Sequence, residues 1–82
     1  MARSHHNRDY RRFRELLRLI REEQGLTQAD VARALGKPQS YISKYETGER
    51  RLDVIELRAV CVSLKVPVQT FIKRLETYLS RR

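Results

Sequence analysis

Residues 27–48 read TQADVARALGKPQSYISKYETG, two short amphipathic runs with Gly36 between them. Thr27 offers a hydroxyl cap and Asp30 follows three residues on, a capping-box-like start with Asp in place of Glu. The run this opens, Gln28 to Leu35, places Val31, Ala32 and Leu35 on one face, and Gly36 closes it. A second run, Gln39 to Thr47, turns Ile42 and Tyr45 inward at i, i+3, and Gly48 stops it. Neither run is long enough to stand as a helix alone in water. Both must be held by the rest of the chain, and two short helices meeting at a tight glycine turn cross steeply, as in a helix-turn-helix.

The flanking sequence supplies that support. Phe13, Leu16, Leu17 and Ile20 recur at i, i+3, i+4 and i+7, which predicts a first helix from Asp9 with Gly25 at its end. Arginines at 11, 12, 14, 18 and 21 fill much of its other surface. Beyond a basic turn at 49–51, Asp53 caps a fourth helix reaching about Leu64, with Val54, Leu57, Val60, Cys61 and Leu64 inward. Val66 plugs the core before Pro67. A fifth helix over Val68 to Ser80 carries Phe71, Ile72, Leu75, Tyr78 and Leu79. The expectation is an all-α, compact five-helix bundle. Its parts are a flexible basic tail at 1–8, a helix-turn-helix domain at 9–80 and a basic end at 81–82.

Eighty-two residues suffice for one small domain, and the 40% hydrophobic content allows only a thin core. Eighteen Lys and Arg against ten Asp and Glu leave a formal charge of +8. On so small a body this sets up a field that draws in polyanions, nucleic acid before an anionic membrane surface. No stretch approaches the ~18 consecutive apolar residues of a membrane span, and the arginine-rich start lacks a signal peptide's apolar segment. A cytoplasmic protein is expected. The single cysteine, Cys61, cannot form an internal disulfide and reads as a buried thiol. His5 and His6 lack partner ligands, so neither a metal nor a cofactor is expected. No carboxylate pair or nucleophile–base set stands out, which leaves an enzyme without positive support.

A helix with an apolar underside and a polar leading end suits the major groove of DNA, where its early residues meet base edges. The segment LTQADVARALGKPQSYISKYETGERR (26–51) resembles the lambda-repressor/Cro-type helix-turn-helix family, also called the XRE family. The resemblance runs from about Phe13 to Phe71. It is carried jointly by the Thr-Gln start of helix two, small Ala32 in the helix crossing, Gly36 at the turn, SYIS in helix three and YETGER closing it. It implies a five-helix bundle that binds double-stranded, operator-like DNA as a two-fold homodimer, usually to regulate transcription in bacteria or phages.

Transferred by position, the family's base-reading sites fall on Gln39, Ser40, Ser43 and Lys44. Gln suits adenine, Lys suits guanine acceptors, and Ser suits either; the alternative is an exposed helix that is merely polar. Gln28, Tyr41, Thr47, Arg50 and Arg51 are the phosphate candidates, with the alternative that the two arginines only solubilise a turn. An Arg21–Glu46 pair is implied by the family pattern and assigned to structure, fixing the angle of helix three. The family often has a capping Ser or Thr where this chain has Pro38, which loosens the start of helix three by a residue.

Helix four is more apolar than the core needs. Ile55, Ala59 and Val62 form a second stripe, read either as closure against helix five or as a dimer patch to which Ile72, Leu75 and Leu79 contribute. Arg3, Arg8, Arg11 and Arg12 either solubilise the start or attract phosphates. The function expected is a small dimeric repressor reading a pseudo-palindrome. The alternatives are a restriction–modification controller protein, or an antitoxin-like module whose protein partner is a toxin. With no ligand-sensing domain in view, control is expected through concentration, dimerisation or a partner.

Overall fold

Five helices follow one another in the computed structural model: α1 (Ala2–Glu23), α2 (Gln28–Leu35), α3 (Gln39–Thr47), α4 (Val54–Ser63) and α5 (Val68–Ser80). The structure describes the backbone of residues 2–81 and the side chains of residues 7–81. Among the described residues there is no strand, and no helix is long and apolar enough to cross a membrane. Helix α1 packs on α3 and α5, α2 on α3 and α4, and α4 on α5. At 22 residues and ~1.5 Å per residue, α1 spans ~33 Å and accounts for most of the 38 Å long axis.

The first correction concerns the start of α1. It begins at Ala2, not Asp9, so residue 8 marks no structural boundary. Residues 2–8 contain no Pro or Gly, and Ala and Arg are strong helix formers, so nothing in that segment stops the helix from running back. The side chains of Arg3, His5 and His6, and all of Arg82, lie outside the described residues.

The two helices of the opening stretch end and begin as their sequence dictates. Thr27 Oγ1 accepts from the Asp30 N–H at 3.0 Å, and Asp30 Oδ2 accepts from the Thr27 N–H at 2.8 Å, which completes the capping box. Gly36 takes the left-handed conformation (φ 67°), and the next N–H, of Lys37, returns to the Ala32 carbonyl at 3.0 Å. Helix α3 starts at Gln39 after Pro38, whose ψ of 154° keeps it extended and which supplies no side-chain cap.

The core is a single cluster containing Leu16, Leu17 and Ile20 from α1, Val31 and Ala32 from α2, and Ile42 and Tyr45 from α3. Leu57, Val60, Cys61, Leu64 and Phe71 complete it. Phe13 meets Phe71 edge-on, ring centroids 5.8 Å apart. Burial pushes the Cys61 thiol up to about 11, as an apolar site disfavours the thiolate.

The second correction is Val54, expected inward but 72% exposed. It is the first residue of α4, and a helical side chain leans toward its helix's N-terminus, so Val54 projects off the end of the bundle. Leu75 is the third. On α5, Phe71, Leu75, Tyr78 and Leu79 share the face turned to the body, with Leu75 half-buried against the core and Ile72 more open at 42% exposure. At 3.6 residues per turn Ile72 stands at the edge of that set, beside Leu79.

Candidate nucleic-acid interface

Two opposed faces give α3 its character. Ile42, Tyr45 and Glu46 are buried; Gln39, Ser40, Lys44 and Thr47 are exposed, and Ser43 is half-buried beside them. Positions 39, 40, 43, 44 and 47 fall on one side of a 3.6-residue helix. The structure therefore brings the four expected base-reading residues and Thr47 together on one outward surface.

The orientation of that surface is set from behind. Arg21, in the last turn of α1, donates from Nε to Glu46 Oε2 at 2.7 Å and from Nη2 to Oε1 at 3.1 Å. Its third bond, Nη1 to the Leu26 carbonyl at 2.9 Å, ties the pair to the α1–α2 turn. The side chains are only 11% and 5% exposed. The hydrogen bonds Arg21 donates to Glu46 raise its pKa further above the ordinary value, so the guanidinium stays charged.

A second arginine completes the clamp. Arg14, two turns before Arg21 on the same face of α1, donates Nη1 to the Glu46 carbonyl at 3.0 Å. Positive charge at a helix C-terminus is favourable. Next to it Gly48 ends α3 at φ 89°, and a Cβ there would lie 2.8 Å from Arg14 Nε. The left-handed conformation is what favours glycine here, and a Cβ would in addition oblige the Arg14 side chain to shift.

From this ion pair a chain of hydrogen bonds leads outward. Gln28, the first residue of α2, donates Nε2 to Glu46 Oε1 at 2.9 Å. Gln39, the first residue of α3, donates Nε2 to Gln28 Oε1 at 3.3 Å. Buried charge, half-buried amide and exposed amide are thus joined in sequence.

Around α3 lies a basic and aromatic rim. Tyr41 is half-buried, its ring edge-on to Tyr45 at 5.9 Å, and it lies between Lys37 Nζ at 5.2 Å and the Arg50 guanidinium at 4.7 Å. Arg51 stacks over Tyr10 at 4.1 Å, and Tyr10 Oη accepts from the Leu52 N–H at 3.2 Å. Cation–π contact holds these guanidiniums in place while leaving N–H groups for another partner. Arg50 is more committed than expected for a free phosphate grip, because Glu56 pairs with its Nη2. A polar notch lined by Asn7, Tyr10, Arg11, Arg14, Thr47, Gly48 and Arg51 sits at the C-terminal end of α3. Three arginines and no carboxylate line it.

Sequence reasoning missed Arg14, Lys37 and Glu56. A signal existed for two of them. Arg14 precedes Arg21 by seven residues, hence shares its face, and Glu56 follows Asp53 at capping-box spacing. Glu56 also accepts from the Asp53 N–H at 2.9 Å.

An outward helix with an apolar underside, a polar face and a cationic rim defines a DNA-binding transcriptional regulator of the helix-turn-helix class. The comparisons give the family. The helix-turn-helix family model matches residues 17–71. An XRE-family like protein from Pseudomonas syringae pv. tomato is 38% identical over 93% of each chain, with a TM-score of 0.87. This chain belongs to the XRE family of helix-turn-helix proteins. It is also similar to the wild-type restriction–modification controller protein C.Esp1396I, 26% identical over 90% of this chain and 96% of that one, TM-score 0.84. The C.Esp1396I tetramer in complex with its natural 35 base-pair operator matches at 26% identity over 89% and 96%, TM-score 0.83. No curated protein matches the chain.

Proposed function

We propose that the chain is a homodimeric regulator that reads a pseudo-palindromic operator by laying α3 in successive major grooves. Gln39, Ser40, Ser43 and Lys44 meet base edges; Gln28, Tyr41, Thr47 and Arg51 meet phosphates, with Arg50 contributing through the N–H groups that Glu56 leaves unused. The observation that carries this is the single outward face of α3, polar throughout and flanked by stacked cations.

Dimerisation rests on α4. Ile55 is 73% and Val62 65% exposed, and Ala59 lies exposed between them. Such a stripe does not close against α5, which was the alternative for it. A second copy covering it supplies the two-fold relation that places two reading helices ~34 Å apart. Among regulators, the likeness to C.Esp1396I over nearly the whole chain favours a controller of a restriction–modification system over an antitoxin bound to a toxin.

Selection from a random duplex pool tests the reading. A palindromic motif is expected. Lys44→Ala should lose ~1–3 kcal/mol at its own base position, whereas Arg51→Ala should weaken all sequences alike and reduce the salt slope by ~1. A pool that yields no motif, or a motif indifferent to Lys44→Ala and to Gln39→Ala, refutes it.

A further inference from the structure

The chain of bonds from Arg21 to Gln39 has a direction. Glu46, paired with an arginine that cannot deprotonate, is a carboxylate and has no hydrogen to donate. Its Oε1 accepts from Arg21 Nη2 and from Gln28 Nε2. The end of the Gln28 amide that faces Glu46 must therefore be the NH2. That turns Gln28 Oε1 toward Gln39, and an amide oxygen only accepts, so Gln39 must offer its NH2 in turn. A buried carboxylate in the last turn of α3 thus dictates, through α2, the facing of an exposed amide in the first turn of α3.

This constraint reaches the base. Gln39 spends one N–H on Gln28 and keeps one N–H and its oxygen. One donor and one acceptor match the major-groove edge of adenine, which presents an N6–H donor and an N7 acceptor. Guanine presents two acceptors there, O6 and N7, and would need two donors. We infer that Glu46 is a positioning residue for sequence readout: through Gln28 it fixes the polarity of Gln39 and makes the chain choose adenine over guanine at the base Gln39 meets. The inference rests on the DNA-reading function above. It gives Glu46 a second role beside holding the angle of α3.

The test uses the full chain and duplexes that differ only by A or G at each position of the selected motif. Wild type should prefer A to G at least about 10-fold at one position, the one that responds to Gln39→Ala. Gln28→Leu breaks the relay but leaves the Arg21–Glu46 pair in place. It should bring that ratio near 1 while the ratios at other positions hold. Glu46→Gln, which can donate as well as accept, should do the same. A lower affinity at every position is what loss of a phosphate contact alone would produce, and an unchanged A/G ratio in both variants overturns the inference. The free protein supplies a separate readout, because the Gln39 side-chain amide signal in a nitrogen–proton correlation spectrum should shift in Gln28→Leu and in Glu46→Gln. A Gln39 signal that moves in neither variant also overturns it. A pool without any motif refutes the function and this inference together, whereas a motif with an unmoved ratio refutes the inference alone.

Discussion

Replacing Glu46 with alanine dismantles the clamp that sets the angle of α3. It removes both acceptors of the Arg21 pair, at 2.7 and 3.1 Å, and the acceptor of the Gln28 amide. Arg21 keeps its bond to the Leu26 carbonyl, in a site where its side chain is only 11% exposed. Breaking a buried pair by deleting one member costs ~3–5 kcal/mol. Because neither side chain is wholly sealed from water, the lower end, about 3 kcal/mol, applies. A domain of this length has ~4–12 kcal/mol in all, so the loss is a quarter or more of the total. In melting temperature it amounts to about 12–24 °C. Circular dichroism melts at one fixed protein concentration measure it, since dimerisation would otherwise shift the midpoint by mass action. The paired substitution Arg21→Met with Glu46→Leu should recover most of the loss by packing apolar groups in the same space. A Glu46→Ala midpoint within about 4 °C of wild type would refute the assignment of α3's orientation to this pair.

Three further outcomes are expected. Gly48→Ala should destabilise by ~1 kcal/mol or more, because alanine resists φ 89° and its Cβ would meet Arg14 Nε; a thermal melt gives the value, and wild-type stability would remove the close-approach argument. Cys61, buried and with its thiol pushed up to about 11, should resist alkylation at pH 8 in the folded protein and react fully in denaturant, so rapid labelling of the native state would contradict the packing of α4. Ile55→Glu should turn a dimer into a monomer by light scattering at micromolar concentration without changing the helical content. A wild type that is monomeric both alone and with operator DNA would leave the α4 stripe without its proposed role.

Much of this fold is legible in the sequence because its punctuation is local. Thr27, Gly36, Gly48 and Asp53 fix helix ends by chemistry that acts within a few residues, and α2, α3 and α5 have the bounds their sequence predicts. The reading fails where no such signal exists. Nothing marks residue 8 as a boundary, and α1 runs through it. Helix α4 ends without glycine, its turn made by Lys65 at φ 63°, a conformation that side chains other than glycine seldom adopt, yet its end falls within a residue of the expected Leu64. Val54 misleads for a related reason: periodicity gives an angle around the helix, not whether a neighbour stands opposite. The site divides in the same way. The outward residues of α3 follow from spacing, and the Arg21–Glu46 pair from family resemblance. The links from Glu46 through Gln28 to Gln39 run from α3 to α2 and back and depend on which end of each amide faces which neighbour, and no linear pattern encodes that.

The anchoring of Gln39 bears on how such a protein could be retargeted. Lys44 and Ser40 carry no side-chain bond to a neighbour among the described residues, so their replacement disturbs nothing behind them. Gln39 is the outer end of a relay that begins at Glu46, and substituting it removes the side-chain partner of the Gln28 oxygen. New operators should therefore be reached one residue at a time through positions 40 and 44, while position 39 changes only in step with position 28.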